Sequence, residues 1–216
     1  MGRTGDQSTG RAGASARREA ERRRQSREQL TRERHPRIGG LLLALRDEPQ
    51  SERSWAVGAA GEEAVALSLE ARCAESVCLL HDRRIPNSRA NIDHLAVAPT
   101  GVWVIDSKKY RGRVEVRRPL FGDARLMIDR RDRSKLADGL ARQVAAVAAA
   151  VDPGVPVRGA FCLVDAELPL LRTLTFRGYP LLSRRKLAKT LNGLGALPDA
   201  EVRALAALIA ERFRAA

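Results

Sequence analysis

The chain has 216 residues, 44% of them hydrophobic, so it can bury a core of ordinary size, built mostly from Ala, Val and Leu because only 4% of residues are aromatic. Lys and Arg number 39 against 26 acids, a formal charge of +13 that suits an anionic partner such as nucleic acid. Three cysteines (Cys73, Cys78, Cys162) exclude a disulfide framework, and the apolar cluster at residues 41–45 is too short to span a bilayer, so a cytoplasmic protein with no membrane partner is expected.

Residues 1–50 form a compositional unit of their own. They are rich in Arg, Gly, Ser and Gln, hold almost no apolar residue before Leu30, and alternate blocks of Arg with Glu from residue 17 to residue 34. With no apolar stripe to bury, this reads as a disordered or loosely helical basic arm, either a source of non-specific phosphate affinity or a solvated tail with no specific role. A folded domain is expected over 51–216. Residues 54–72 read as a helix, with Val57, Ala64, Val65 and Leu69 at helical spacing. Residues 77–82 read as a short strand and 83–90 as a polar loop. Two strands follow, 91–97 and 102–106, separated by Ala98-Pro99-Thr100-Gly101, which is turn chemistry. A second, more charged hairpin is expected over 113–130, turning near Phe121-Gly122-Asp123. Then come an Ala-rich helix at 135–151, stopped by Asp152-Pro153-Gly154, and a buried strand at 157–164. Ser183 can cap a helix that stops at Gly193, and 199–213 reads as a last helix with Val202, Leu205, Leu208, Ile209 and Phe213 on one face. The order is helix, three strands, hairpin, helix, strand: an α/β fold with a mixed sheet. Cys73, Cys78 and His81 have a spacing loosely like half a zinc site, but no second half follows.

The first hairpin carries the functional argument. If Val97 pairs with Val102, then Leu95 lies opposite Val104 and Asp93 opposite Asp106, all on one face of the sheet. Lys108 returns to that face if the strand continues. Ile92, Ala96, Trp103 and Ile105 fill the other side. Opposed carboxylates destabilise a strand pair and raise each other's pKa unless something positive lies between them. A divalent cation, held by carboxylate oxygens, relieves that repulsion and can activate water beside a phosphate, with Lys108 stabilising the developing charge. The bland reading is that Lys108 neutralises one aspartate at a strand end. The first helix offers a third acid: Glu62 shares a stripe with Ala59, Val65, Ala66 and Leu69, and Glu63 shares one with Ala60 and Leu67, and periodicity alone does not separate them. Gly58 and Gly61, one turn apart, imply a close backbone approach or a helix that starts only near Gly61.

Three segments then resemble the nuclease-related domain (NERD) family. They are Gly58-Ala59-Ala60-Gly61-Glu62-Glu63-Ala64-Val65, Asn91-Ile92-Asp93-His94-Leu95, and Gly101-Val102-Trp103-Val104-Ile105-Asp106-Ser107-Lys108-Lys109-Tyr110-Arg111-Gly112. Members of that family are similar to the PD-(D/E)xK nuclease superfamily, with an αβββαβ core. The resemblance runs from about Trp55 to Leu191. It implies a restriction-endonuclease-like core with an inserted hairpin and two C-terminal helices, with Asp93, Asp106 and Glu62 as ligands for Mg²⁺ (or Mn²⁺). By the same resemblance Lys108, Glu62 and Gln143 would be catalytic. One departure is that Asp106 stands where many relatives look to have Glu, which changes reach but not charge.

The expected function is therefore hydrolysis of phosphodiester bonds in nucleic acid, DNA more than RNA, with Arg83, Arg84, Arg89, Lys109, Arg111 and Arg113 holding phosphates. The alternative is a catalytically inactive nucleic-acid-binding module on a nuclease fold. A third reading is a scaffold that recruits proteins through the basic arm and the last helices.

Overall fold

Alternating aliphatic residues on either side of Pro99-Thr100 fold back on themselves as a hairpin. The computed structural model describes residues 12–34, 50–88 and 90–216. Among these, strand β1 (Cys78–Arg84), β2 (Asn91–Ala98) and β3 (Gly101–Arg117) form an antiparallel meander. Ala98 pairs with Gly101, Val97 with Val102 and Leu95 with Val104, the register that the turn predicts. Gly101 has φ +116°, and a Cβ there would lie 2.3 Å from the Pro156 carbonyl oxygen, so this corner needs glycine.

β3 is far longer than its sequence pattern suggests. The expected second hairpin begins on its far end, where Val114–Arg117 pairs with β4 (Arg125–Ile128), which in turn pairs with β5 (Arg131–Asp132). Helix α3 (Leu136–Ala148) then crosses over to β6 (Val157–Glu167), which runs parallel to β3. A register shift between Lys109 and Gly112 marks a bulge in β3 just past Lys108. Beyond β6 the sheet gains a hairpin that the sequence pattern did not announce, β7 (Leu174–Phe176) and β8 (Tyr179–Leu182). Its turn is Arg177-Gly178, both with positive φ (49° and 84°), and Pro180 within the second strand hides its strand character.

Helix α2 (Gln50–Glu70) and α4 (Arg184–Leu191) cover one face of the sheet. Val65, Leu69, Leu187, Ala188 and Leu191 bury there against Ala96, Trp103, Ile105 and Cys162. Ser183 caps α4, its hydroxyl accepting from the Lys186 N–H. Helices α3 and α5 (Asp199–Arg212) cover the other face, where Leu140, Val147, Val202 and Ile209 meet Leu95, Val104 and Phe161. The result is an α/β fold with a mixed sheet between helical layers. Val57, expected on the buried stripe of α2, is 47% exposed instead.

Helix α1 (Ala14–Arg34) precedes this core. It has no apolar stripe, and polar contacts hold it on the domain: Ser15 bonds Asp82, Arg17 pairs with Glu63, and Arg18 donates to the Ala216 carbonyl.

Candidate active site

The β2–β3 ladder ends at His94–Ile105, so Asp93 and Asp106 lie where the strands part, one position past the last pair. Freed from the ladder, Asp93 turns its carboxylate back on β3: the Ser107 N–H and hydroxyl both donate to its Oδ2, at 2.8 and 3.1 Å. β3 continues along β6 through this point, Asp106 opposite Phe161 and Lys108 opposite Leu163, so Lys108 does return to the face of Asp106. Its Nζ donates to Asp106 Oδ1 at 2.7 Å and lies 3.7 Å from Asp93 Oδ2. The three side chains form one cluster, with the ammonium between the two carboxylates.

The two glutamates of α2 separate cleanly. Glu63 shares the outward stripe with Leu67, which is 61% exposed, and pairs with Arg17 of α1. Glu62 lies on the inward stripe with Ala59, Val65 and Leu69. Gly61 explains the close approach: a Cβ there would sit 3.0 Å from Lys109 Cβ, whereas Gly58 faces no atom within 4 Å. α2 is continuous across both glycines, so neither starts the helix. α2 lies on the face of the sheet opposite Asp106 and Lys108, and Glu62 shares with Asp93 the cleft at the strand ends.

Electrostatics single out the same residues. Burial raises the Glu62 carboxyl to about 8, reinforced by Asp93, Asp82 and Asp106 and opposed only by Lys108. Burial likewise pushes Asp106 up to about 6; Lys108 resists this and Asp93 adds to it. For Lys108 burial works against the charge, but Asp93, Asp106 and Glu62 outweigh it and hold the amine protonated above its ordinary value. The cluster is short of positive charge even with the lysine present. Among the described residues, no three His, Cys, Asp or Glu side chains converge closely enough to hold a metal ion. The donor set therefore suits a hard divalent cation in its chemistry, all carboxylate oxygen and under-neutralised, while the pre-formed geometry is a lysine–aspartate bridge.

Gln143 of α3 donates from Nε2 to the Asn91 carbonyl at 3.2 Å, two residues before Asp93, and its Oε1 is buried without a protein partner. The basic residues divide. Arg84 lines a cleft of about 860 Å³ together with Glu62, Asp82 and Asp93. Arg113 lines a separate groove with Arg117 and Arg172, and Arg111 is exposed. Lys109 points to the α2 side and lies 3.8 Å from Asp165. Arg89 lies outside the described residues. Arg83 corrects the expectation of a phosphate contact: it is 1% exposed and donates to the Phe213 carbonyl at 3.4 Å, under the end of α5.

Asp82 is the site residue that sequence reasoning missed. It is buried with φ 50°, and its carboxylate accepts from Ser15 N–H and Oγ–H (2.7 and 2.6 Å) and from Asn91 Nδ2 (3.3 Å). The one available signal was an acid closing an apolar strand run. Behind the cluster, His81 and His94 touch through their Nδ1 atoms at 2.9 Å, and burial holds both neutral, with pKa values near 3.

A family model described as a nuclease-related domain matches residues 57–164, half of the chain. That span runs from α2 through the hairpin, the lysine and α3 into β6. No curated protein and no solved structure gives a match.

Proposed function

The chain belongs to the nuclease-related domain family, and from that premise we propose that it is a divalent-metal-dependent phosphodiesterase that hydrolyses nucleic acid, DNA in preference to RNA. The observation that carries this reading is the under-neutralised Asp93–Lys108–Asp106 cluster at the parting of β2 and β3, with Glu62 near enough to feel its charges. Asp93, Asp106 and Glu62 would hold Mg²⁺ or Mn²⁺. When bound, such a cation supplies charge stabilisation to a phosphate oxygen and lowers the pKa of coordinated water. Lys108, held protonated by its neighbours, stabilises charge that develops on the phosphoryl oxygens as the diester is attacked. Without a cation Glu62, raised to about 8, holds a proton at neutral pH, and binding a cation there would release it. Gln143 anchors the backbone before Asp93, and its buried Oε1 is left as an acceptor without a protein partner. Arg84 in the cleft supplies a cation that binds phosphate without reading bases, and Arg111 stands exposed farther along β3.

A second reading is a binding module that keeps the fold and has lost turnover. The ammonium of Lys108 sitting between the two aspartates favours it, since the charge a cation would neutralise is partly neutralised already. Asp106→Ala separates the two. Metal-dependent cleavage that this variant loses, with nucleic-acid binding retained, supports the enzyme. Binding without cleavage by the unmutated protein in every divalent metal tried supports the module.

A further inference from the structure

The cleft beside the acid cluster has two unlike walls. One is the rim of the core, with Glu62, Asp93 and Arg84; the other is α1, with Arg18, Arg22, Arg23 and Glu19. Among the described residues, polar contacts hold α1 in place. The Asp82 carboxylate receives the Ser15 N–H and hydroxyl at the positive end of the helix, Arg17 pairs with Glu63 on α2, and Arg18 donates to the Ala216 carbonyl. Asp82 is thus a positioning residue that pins a basic helix across the mouth of the acidic site. Arg18 and Arg22 stand one helical turn apart, about 6 Å along the axis, a spacing comparable with that of successive phosphates in an extended strand. Arg22 and Arg23 both pair with Glu19 at the surface, and such pairs are weak enough for a phosphate to replace. A cleft of about 860 Å³ has room for a short run of single strand.

We propose that α1 is the strand-selecting wall of this cleft: a single nucleic-acid strand threads between α1 and the acidic rim with its phosphates against Arg18 and Arg22, and a duplex enters only when α1 lifts. This rests on the nuclease reading for the chemistry, and it adds the substrate class. Among the described residues no aromatic side chain lines the cleft, so recognition is through the backbone and tolerant of sequence. The test is fluorescence anisotropy in EDTA with the full chain and one labelled oligonucleotide, single-stranded or annealed, in DNA and in RNA form. The unmutated protein is expected to bind the single strand at least about tenfold more tightly than the duplex. Arg18→Ala with Arg22→Ala should weaken single-strand binding and flatten its log–log salt slope by about 0.7 for each phosphate that is no longer neutralised. Asp82→Asn, which loosens the start of α1, should narrow the preference by admitting duplex. Arg17→Glu, a surface change that spares the buried acids, should do the same should Asp82→Asn fail to fold. Equal affinity for duplex and single strand in the unmutated protein, or an unchanged salt slope in the double arginine variant, overturns the proposal. Because no metal is present, the result is independent of hydrolysis. A protein that prefers single strands and never cuts sinks the nuclease reading alone, and one that cuts while α1 variants change nothing sinks this proposal alone.

Discussion

Glu62 and Asp106 are carboxylates that the fold holds partly protonated, and this has a consequence for stability. With Glu62 raised to about 8 against an ordinary 4.5, the folded state keeps a proton that the unfolded chain releases. Its contribution to stability therefore falls as pH rises from about 4.5 to 8, and the full penalty is present above 8. Glu62→Gln should raise Tm by a few degrees at pH 8.5 in EDTA and by almost nothing at pH 5, read by thermal melts. Mn²⁺ should then stabilise the unmutated protein more than the variant, because a ligand that binds only the folded state adds to its stability. At this scale the shared face of Asp106 and Lys108 was legible from strand alternation, since a two-residue period fixes the face. The expected pairing of Asp93 with Asp106 is not formed, because the β2–β3 ladder ends at His94–Ile105 and Asp93 accepts from Ser107 instead. The choice of Glu62 over Glu63 was not legible: both stripes of α2 are mixed, and only the packing of Gly61 on Lys109 and the capture of Glu63 by Arg17 separate them. Asp82 was invisible because its partner, Ser15, is 67 residues away.

At the scale of elements, the parting of β2 and β3 is what creates the site, and the turn at Gly101 sets which residues stand there. Gly101→Ala adds a side chain at φ +116° against the Pro156 carbonyl. It should cost about 2 kcal/mol, roughly 4–8 °C in Tm, and an unchanged melt would mean that the corner does not hold the register. The buried pair of His81 and His94 acts in the opposite sense to Glu62. Their pKa values are depressed to about 3 from 6.5, so stability falls as pH drops below about 6.5, where the unfolded histidines take up protons. In EDTA the protein should thus be most stable near pH 6 to 7, and a His94→Gln variant should lose less stability than the unmutated protein between pH 6.5 and 4. The hairpin, the crossover helix and the capped α4 were readable from turn and capping chemistry. The length of β3 and the β7–β8 hairpin were not, because charged residues on β3 and Pro180 in β8 break the apolar patterns on which such reading depends.

Over the whole molecule, a formal charge of +13 is set against an acid cluster that is short of positive charge. Under the proposed function that contrast suits a polyanionic partner and leaves the cluster receptive to a cation. Composition alone carried the first half of this, and the αβββαβ order carried the layered α/β fold. Composition could not show that the basic segment docks as a helix, since polar contacts to distant residues hold it there in place of an apolar stripe. Binding should weaken steeply with salt, with the slope reporting the number of phosphates engaged. Whether the acid cluster is a working metal site is decided by single-turnover cleavage of a labelled single strand with Mn²⁺, unmutated protein against Asp106→Ala. Mn²⁺-dependent scission is expected, stopped by EDTA and slowed by the substitution about a thousandfold or more. Equal rates for the two proteins, or no scission in any divalent metal, would mean that the cluster does not cut phosphodiesters.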